Sequence, residues 1–154
     1  MSSPVLDIGP PRDPAEAEAF ADLLTQSLNF PPRKTVDWLA RTPTGEWTLA
    51  RAGGHVVGGV GVSRVGQWIA GRRVPCAAVW GVGVAPEWRR QGVASVALHA
   101  ALVEARAAGC AITSLYGSTH GVYRRAGYEA CGVCWVYAMP ITSLPRRAPP
   151  PDVV

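Results

Sequence analysis

VWGVGVAPEWRRQGVAS, residues 79–95, packs a strand, a turn and the start of a helix into one stretch. The apolar Val82-Gly83-Val84 runs into Ala85-Pro86, where proline cannot continue a strand ladder. Arg89 and Arg90 follow, then Gly92 and an Ala-rich run. Val93, Val96, Ala97 and Ala100 keep helical spacing in that run, and a helix is expected over residues 91–108. The first amides of a helix have no partner inside it and carry the positive end of its dipole. With arginine beside them and glycine allowing close approach, they form a seat for phosphates. By itself the stretch reads equally well as an Arg-rich helix start on a solvated surface, and the rest of the chain decides between the two.

The 154 residues suffice for one domain with a core. Hydrophobic residues make up 48% and charged residues 17%, which fits a soluble globular chain. The longest apolar run, residues 56–62, is broken by glycine and far too short to span a bilayer. The opening MSSPVLDIGPPRD lacks the basic start and apolar core of a secretion signal. The expected compartment is the cytoplasm, with Cys76, Cys110, Cys131 and Cys134 reduced. The net charge of +4 comes from fourteen arginines and one lysine against eleven acidic residues. Such a balance favours anionic partners. No long basic stripe with interleaved aromatics appears, so a small polyanion at one or two Arg pairs is expected, not nucleic acid and not a membrane.

Taken in order, residues 5–8 read as a short strand. Asp13, Pro14 and Glu16 form a helix start of the D-x-x-E type. Ala17, Phe20, Ala21, Leu24 and Leu28 give that helix one buried face, and Pro31-Pro32 ends it. A second short helix is expected over residues 35–41, with Trp38 and Leu39 as its apolar residues. Strands are expected over residues 47–50, 55–65 (continuing extended to 69) and 74–84, with turns at Gly53-Gly54 and residues 70–73. Gly58, Gly59 and Gly61 weaken the second of these strands and permit close backbone contact. After the long helix come Gly109 as a stop, a strand over residues 111–116, and a short helix capped by Ser118 or Thr119 and stopped by Gly127. A last strand is expected over residues 128–139. The sum is an α/β chain: a mixed central sheet of about six to seven strands with helices on both faces. Residues 1–144 are expected to form one domain, and the Pro-rich residues 145–154 a disordered tail.

Arg89-x-x-Gly92-x-Ala94 resembles the pyrophosphate-binding signature of the GCN5-related N-acetyltransferases (GNATs), and the element order matches their fold. Tyr123-Arg-Arg-Ala-Gly127-Tyr128 resembles the family's second motif, Y-x-x-x-G-F/Y, at the right spacing. Gly66-Gln67-Trp68, Gly71-Arg72-Arg73-Val74-Pro75 and Pro140-Ile141-Thr142-Ser143-Leu144-Pro145 sharpen the likeness to the N-terminal domain of the Eis-type (enhanced intracellular survival) acetyltransferases over roughly residues 4 to 145. Eis-type proteins continue into a second acetyltransferase-like domain and a sterol-carrier-like domain. Their C-terminal carboxylate, which accepts the proton, has no counterpart here, and neither their hexamer nor their multi-amine pocket carries over.

The resemblance implies direct acetyl transfer from acetyl-CoA, as co-substrate, to a small-molecule or peptide amine, with no metal. It assigns the pantetheine arm to Val82, Gly83 and Val84, whose N–H groups can also polarise the thioester carbonyl. It assigns the pyrophosphate to Arg90, Gln91, Gly92, Val93, Ala94 and Ser95, with Arg90 adding charge-assisted bonds. Ser118 and Thr119 fall where the family touches the cofactor again. Tyr123 matches the proton donor to the leaving thiolate, whereas Arg124 and Arg125 read as a solvated face. The strand before the turn carries no Asp or Glu, and His55, His120 and Glu46 remain open as bases beside a water relay or an amine that binds already neutral.

Other chemistries score low. The three histidines are scattered, and Cys131-x-x-Cys134 has no second ligand pair and sits on an expected strand, which favours buried thiols over zinc. No G-x-S-x-G or Walker-type loop occurs. Two other readings stay open: an idle acyl-CoA-binding or regulatory module, and a fragment of a longer Eis-type protein. Homo-oligomerisation is open as well.

Overall fold

The computed structural model describes residues 5–29, 41, 46–133 and 135–144. The expected helix over residues 35–41 and the Pro-rich tail lie outside the described residues, apart from Arg41. The element order is β1 (Asp7–Gly9), α1 (Pro14–Leu28), β2 (Trp47–Ala52), β3 (His55–Ile69), β4 (Arg72–Val84), a 3-10 turn (Pro86–Trp88), α2 (Val93–Ala107), β5 (Ile112–Leu115) and α3 (His120–Arg125). A further 3-10 turn covers Ile141–Ser143.

Five strands form one sheet in the order β1-β2-β3-β4-β5. The first four are antiparallel neighbours, and β5 runs parallel to β4. The sheet is covered on both faces. On one, Phe20, Leu23 and Leu24 of α1 pack against Trp47 and Leu49. On the other, Val93, Ala97, Leu98 and Ala101 of α2 pack against Ala50, Val57, Val60 and Val79. The alternation of β2 explains the split, because successive side chains point to opposite faces. Leu49 goes to α1 and Ala50 to α2.

The start of α1 forms as its sequence requires. Asp13 Oδ1 accepts from Glu16 N at 2.9 Å, with Pro14 at the first helical position. Glu16 does not return the bond to Asp13, as a full capping box would. Its carboxylate accepts instead from Arg12 N and from Arg51, whose Nε and Nη2 reach Oε1 and Oε2 at 2.7 and 2.6 Å. Arg51 Nη2 also donates to the Pro10 carbonyl at 2.6 Å. Arg51 is 1% exposed, so this two-pronged pair fastens the start of α1 to the C-terminal end of β2. The Arg51 guanidinium holds the Glu16 carboxyl down to about 2, and Glu16 raises the arginine in return.

Three expectations change. First, β1 covers Asp7–Gly9, and Val5 is exposed. Second, α2 begins at Val93, because Arg90 (φ 64°) and Gly92 (φ 85°) are left-handed and no right-handed helix can include them. Arg90, Gln91 and Gly92 therefore form the turn before the helix. Third, the described residues of 128–139 join no strand, so the sheet has five strands among the described residues. Branched and aromatic side chains give strand propensity, but a strand exists only when its backbone groups find a ladder. Without one, Cys131 is exposed and not a buried thiol, and Cys134 lies outside the described residues.

Candidate functional site

The site is built where β4 and β5 part. Pairing between them covers only Cys76–Val79 with Ile112–Leu115 in register. β4 continues for five more residues, Trp80 to Val84, with no strand on that side among the described residues. On its other side it still pairs with β3, but the register slips: Gly61 faces Trp80 and Gly59 faces Gly83. Gly81 and Val82 therefore stand opposite the single residue Val60, which is a β-bulge. Gly81 supplies the left-handed residue that this bulge type needs, at φ 56°. The bulge bends β4 at the point where it leaves β5 and leaves an edge of backbone groups at Val82, Gly83 and Val84.

Close packing fixes that edge from both faces. A Cβ on Gly83 would stand 2.7 and 2.8 Å from Leu23 and Leu24, so α1 lies directly on the backbone. Ser27 Oγ donates to the Val84 carbonyl at 3.2 Å. On the opposite face, a Cβ on Gly58 would stand 2.8 Å from Val93 Cγ1 and 3.0 Å from the Gly83 carbonyl. Gly58 thus lets the first turn of α2 settle against both β3 and β4. The Ala85 amide donates to the Val57 carbonyl at 2.9 Å and anchors the start of the turn.

The turn itself is held by its own side chains. Gln91 Nε2 donates to the Glu87 carbonyl at 2.9 Å, and Arg89 Nε reaches back to the Val84 carbonyl at 3.4 Å. Arg90 and Gly92 are exposed, and a Cβ on Gly92 would meet no atom within 4 Å. The amides of Val93, Ala94 and Ser95 have no acceptor inside the helix. The arrangement offers a run of free N–H donors with an exposed arginine beside it.

Tyr123 comes from the far wall. It is half-buried on α3 and packs against the same core cluster as Val82 and Val84. The helix ends in a Schellman motif: Gly127 N donates to the Arg124 carbonyl and Tyr128 N to the Tyr123 carbonyl, both at 3.1 Å. The hydrophobic contact of that motif is the ring pair Tyr123–Tyr128, edge-on at 6.1 Å. This is the physical content of the Tyr-x-x-x-Gly-Tyr pattern. Gly117 allows the Tyr123 ring to lie against the chain after β5, where a Cβ would be 3.0 Å from it. Burial pushes the Tyr123 phenol above its ordinary value, so it is a protonated donor at neutral pH.

Ser118 and Thr119 sit beside this helix, both exposed. Thr119 occupies the cap position, but its hydroxyl makes no capping bond, and neither does Ser118. At φ −128° and ψ 86° Thr119 is turned away from the extended geometry that aims a capping oxygen at the helix amides. Arg124 ion-pairs with Glu129 at 3.0 Å on the surface. Of the open base candidates, His55 and His120 are exposed. Glu46 is half-buried and accepts from Ser63 Oγ at 2.5 Å, which itself accepts from Trp80 Nε1 at 3.0 Å. Sequence reading missed the bulge, the left-handed Arg90 and this three-residue chain. Only Gly81 signalled any of them.

Among the described residues no group of three or more His, Cys, Asp and Glu could hold a metal ion, and no helix is long and apolar enough to cross a membrane.

A parted β4–β5 pair, a bulge at the parting and a helix N-terminus beyond it define an acetyltransferase-type fold. The family model of the acetyltransferase (GNAT) domain matches residues 11–131, and the chain belongs to that family. A GCN5-related N-acetyltransferase from Kribbella flavida is 29% identical, with a TM-score of 0.75 over 82% of this chain and 33% of that one. One from Anabaena variabilis is 26% identical, with a TM-score of 0.79 over 83% and 33%. An Eis protein of Mycobacterium abscessus is 27% identical, with a TM-score of 0.69 over 80% and 31%. The chain spans about a third of the length of these three proteins. No curated protein matches it significantly.

Proposed function

We propose that the chain is an N-acetyltransferase that moves an acetyl group from acetyl-CoA to a primary amine, in the cytoplasm, with residues 1–144 as the working unit. The observation that carries this reading is the end of β4, which has no strand on its β5 side among the described residues, running past its bulge into the N-terminus of α2. The residues fit the co-substrate. Val82, Gly83 and Val84 offer a strand edge to the pantetheine amides. The amides of Gln91, Gly92, Val93, Ala94 and Ser95, with Arg90, offer donors to a pyrophosphate, and Gly92 has open space in front of it. Ser118 and Thr119 offer two exposed hydroxyls that make no capping bond to the helix amides.

Acetyl-CoA supplies an activated acyl group as a thioester. The amine nitrogen attacks the carbonyl carbon, the new C–N bond forms, and the C–S bond breaks with its electron pair on sulfur. Tyr123 donates its phenolic proton to that sulfur, and water takes the proton that the amine loses. An N–H of the Val82–Val84 edge stabilises the oxyanion. The acceptor is a small-molecule or peptide amine.

The test is thiol release from acetyl-CoA over a panel of polyamines, aminoglycosides, amino acids and peptide N-termini, paired with calorimetry of CoA binding. Acceptor-dependent thiol release is the expected result. CoA binding without release for any acceptor would make the chain an acyl-CoA-binding module. Absence of binding would remove the site.

A further inference from the structure

A cavity of about 30 Å³ lies between the C-terminal half of α2 and the strands β2 and β3. Val62, Ala101 and Ala105 form its apolar wall. Glu46, Thr48, Arg64 and Glu104 bring polar groups to it. Thr48 is 8% exposed. It points to the α2 face, because its neighbours Trp47 and Leu49 pack against α1. Its hydroxyl has no hydrogen-bond partner among the described residues, whereas buried polar groups are normally paired. Glu46 accepts from Ser63 through Oε2 alone, and Glu104 forms no ion pair among the described residues.

Charge and size choose the ligand. Two carboxylates against one guanidinium leave one net negative charge, and Arg64, exposed at the rim, pairs with neither carboxylate. The carbonyl end of α2 adds its negative pole. A single positive charge balances this set. A divalent metal asks for more ligands, and among the described residues no group of three or more His, Cys, Asp and Glu exists. Two carboxylates and a free hydroxyl oxygen are acceptors, and an ammonium offers three donors to them. The volume takes about two water-sized groups, which is an ammonium head and its first methylene against the alanines. We propose that this cavity binds the ammonium head of a primary alkylamine, at a site separate from the transfer site. Ala101 is eight residues along α2 from Val93, about 12 Å from the proposed phosphate seat, and the rest of the cavity lies farther along the helix.

NMR titration of the full chain with butylamine hydrochloride tests this, beside tetramethylammonium chloride as a cation without N–H donors. The expected result is saturable shifts of the Thr48, Val62 and Ala105 amides with butylamine and none with tetramethylammonium. Nα-acetyl-lysine amide carries the same head, and the tighter binder of the two tells a free amine from a lysine side chain of another protein. Glu104→Gln should raise the dissociation constant about tenfold. Thr48→Val keeps the shape and removes a hydroxyl that bonds to nothing, so the melting temperature should hold while binding weakens about three- to tenfold. Arg64→Ala removes the competing cation and should tighten binding by up to about fivefold. Absence of saturable shifts at these residues overturns the proposal. So do equal shifts with tetramethylammonium, shifts confined to the Val82–Val84 edge, or wild-type affinity in both Glu104→Gln and Thr48→Val.

Discussion

Gly58→Ala adds one methyl group at the point where the proposed phosphate seat is set. The new Cβ would stand 2.8 Å from Val93 Cγ1, 3.0 Å from the Gly83 carbonyl and 3.4 Å from Val84 Cγ2. Val93 is 1% exposed and cannot swing into solvent, and the carbonyl is backbone, so the helix start must move by a few tenths of an ångström. Overpacking of this kind costs about 1–3 kcal/mol, which for a chain of this length lowers Tm by about 2–12 °C. The displaced residues are the first amides of α2 and the edge of β4, so loss of part of one charge-assisted hydrogen bond should weaken CoA binding by about three- to tenfold. Gly59→Ala is the control. Its Cβ would meet Phe20 at 2.7 Å and Leu49 at 3.0 Å, on the face of the sheet that α1 covers. It should cost similar stability and leave affinity unchanged. Calorimetric titration with CoA, beside thermal melts of both variants, reads the difference. If Gly58→Ala melts early yet binds like wild type, or if the two variants lose affinity alike, the close approach does not position the seat.

Tyr123→Phe keeps the ring against Tyr128 and removes the proton, so kcat should fall about 10²–10⁴-fold while acetyl-CoA affinity stays within about threefold; an unchanged kcat would hand the proton to water. Gly92→Glu should abolish CoA binding by placing bulk and negative charge in open space that a phosphate would use, and Arg90→Ala should weaken it by about 1–3 kcal/mol, both read by titration. Glu16 titrates at about 2 when folded against an ordinary value of 4.5. Its pairing therefore stabilises the fold fully above about pH 5 and loses its contribution, at most about 3 kcal/mol, as the pH falls toward 2. Arg51→Met should flatten that part of the stability–pH profile, and an unchanged acid limb in denaturant melts would show that the pair does not govern it.

Local chemistry and periodicity carried much of the fold into plain view. Asp13-Pro14 opens α1, and Gly109 and Gly127 close α2 and α3 by backbone geometry. Of the expected apolar positions of α2, Val93 and Ala97 are buried, whereas Val96 is exposed and Leu98 takes its place in the core. The glycines at 58 and 59 already announced close contact in β3, because nothing else in a strand tolerates a neighbour so near. The proposed site was legible as a motif for the same reason: its donors are backbone amides, whose positions follow from where a strand stops and a helix starts.

Tertiary structure decided what depends on residues far apart in the chain. The bulge at Gly81 exists because β4 pairs with β3 on one side after losing β5 on the other, and no local pattern records when a partner strand ends. Arg51 reads as one more surface arginine until β2 turns it inward onto Glu16, 35 residues away. Residues 128–139 are rich in strand-favouring types such as Val133, Trp135, Val136 and Tyr137, and those of them that are described form no strand, because composition gives only propensity, and a ladder needs a neighbour that sequence order does not supply.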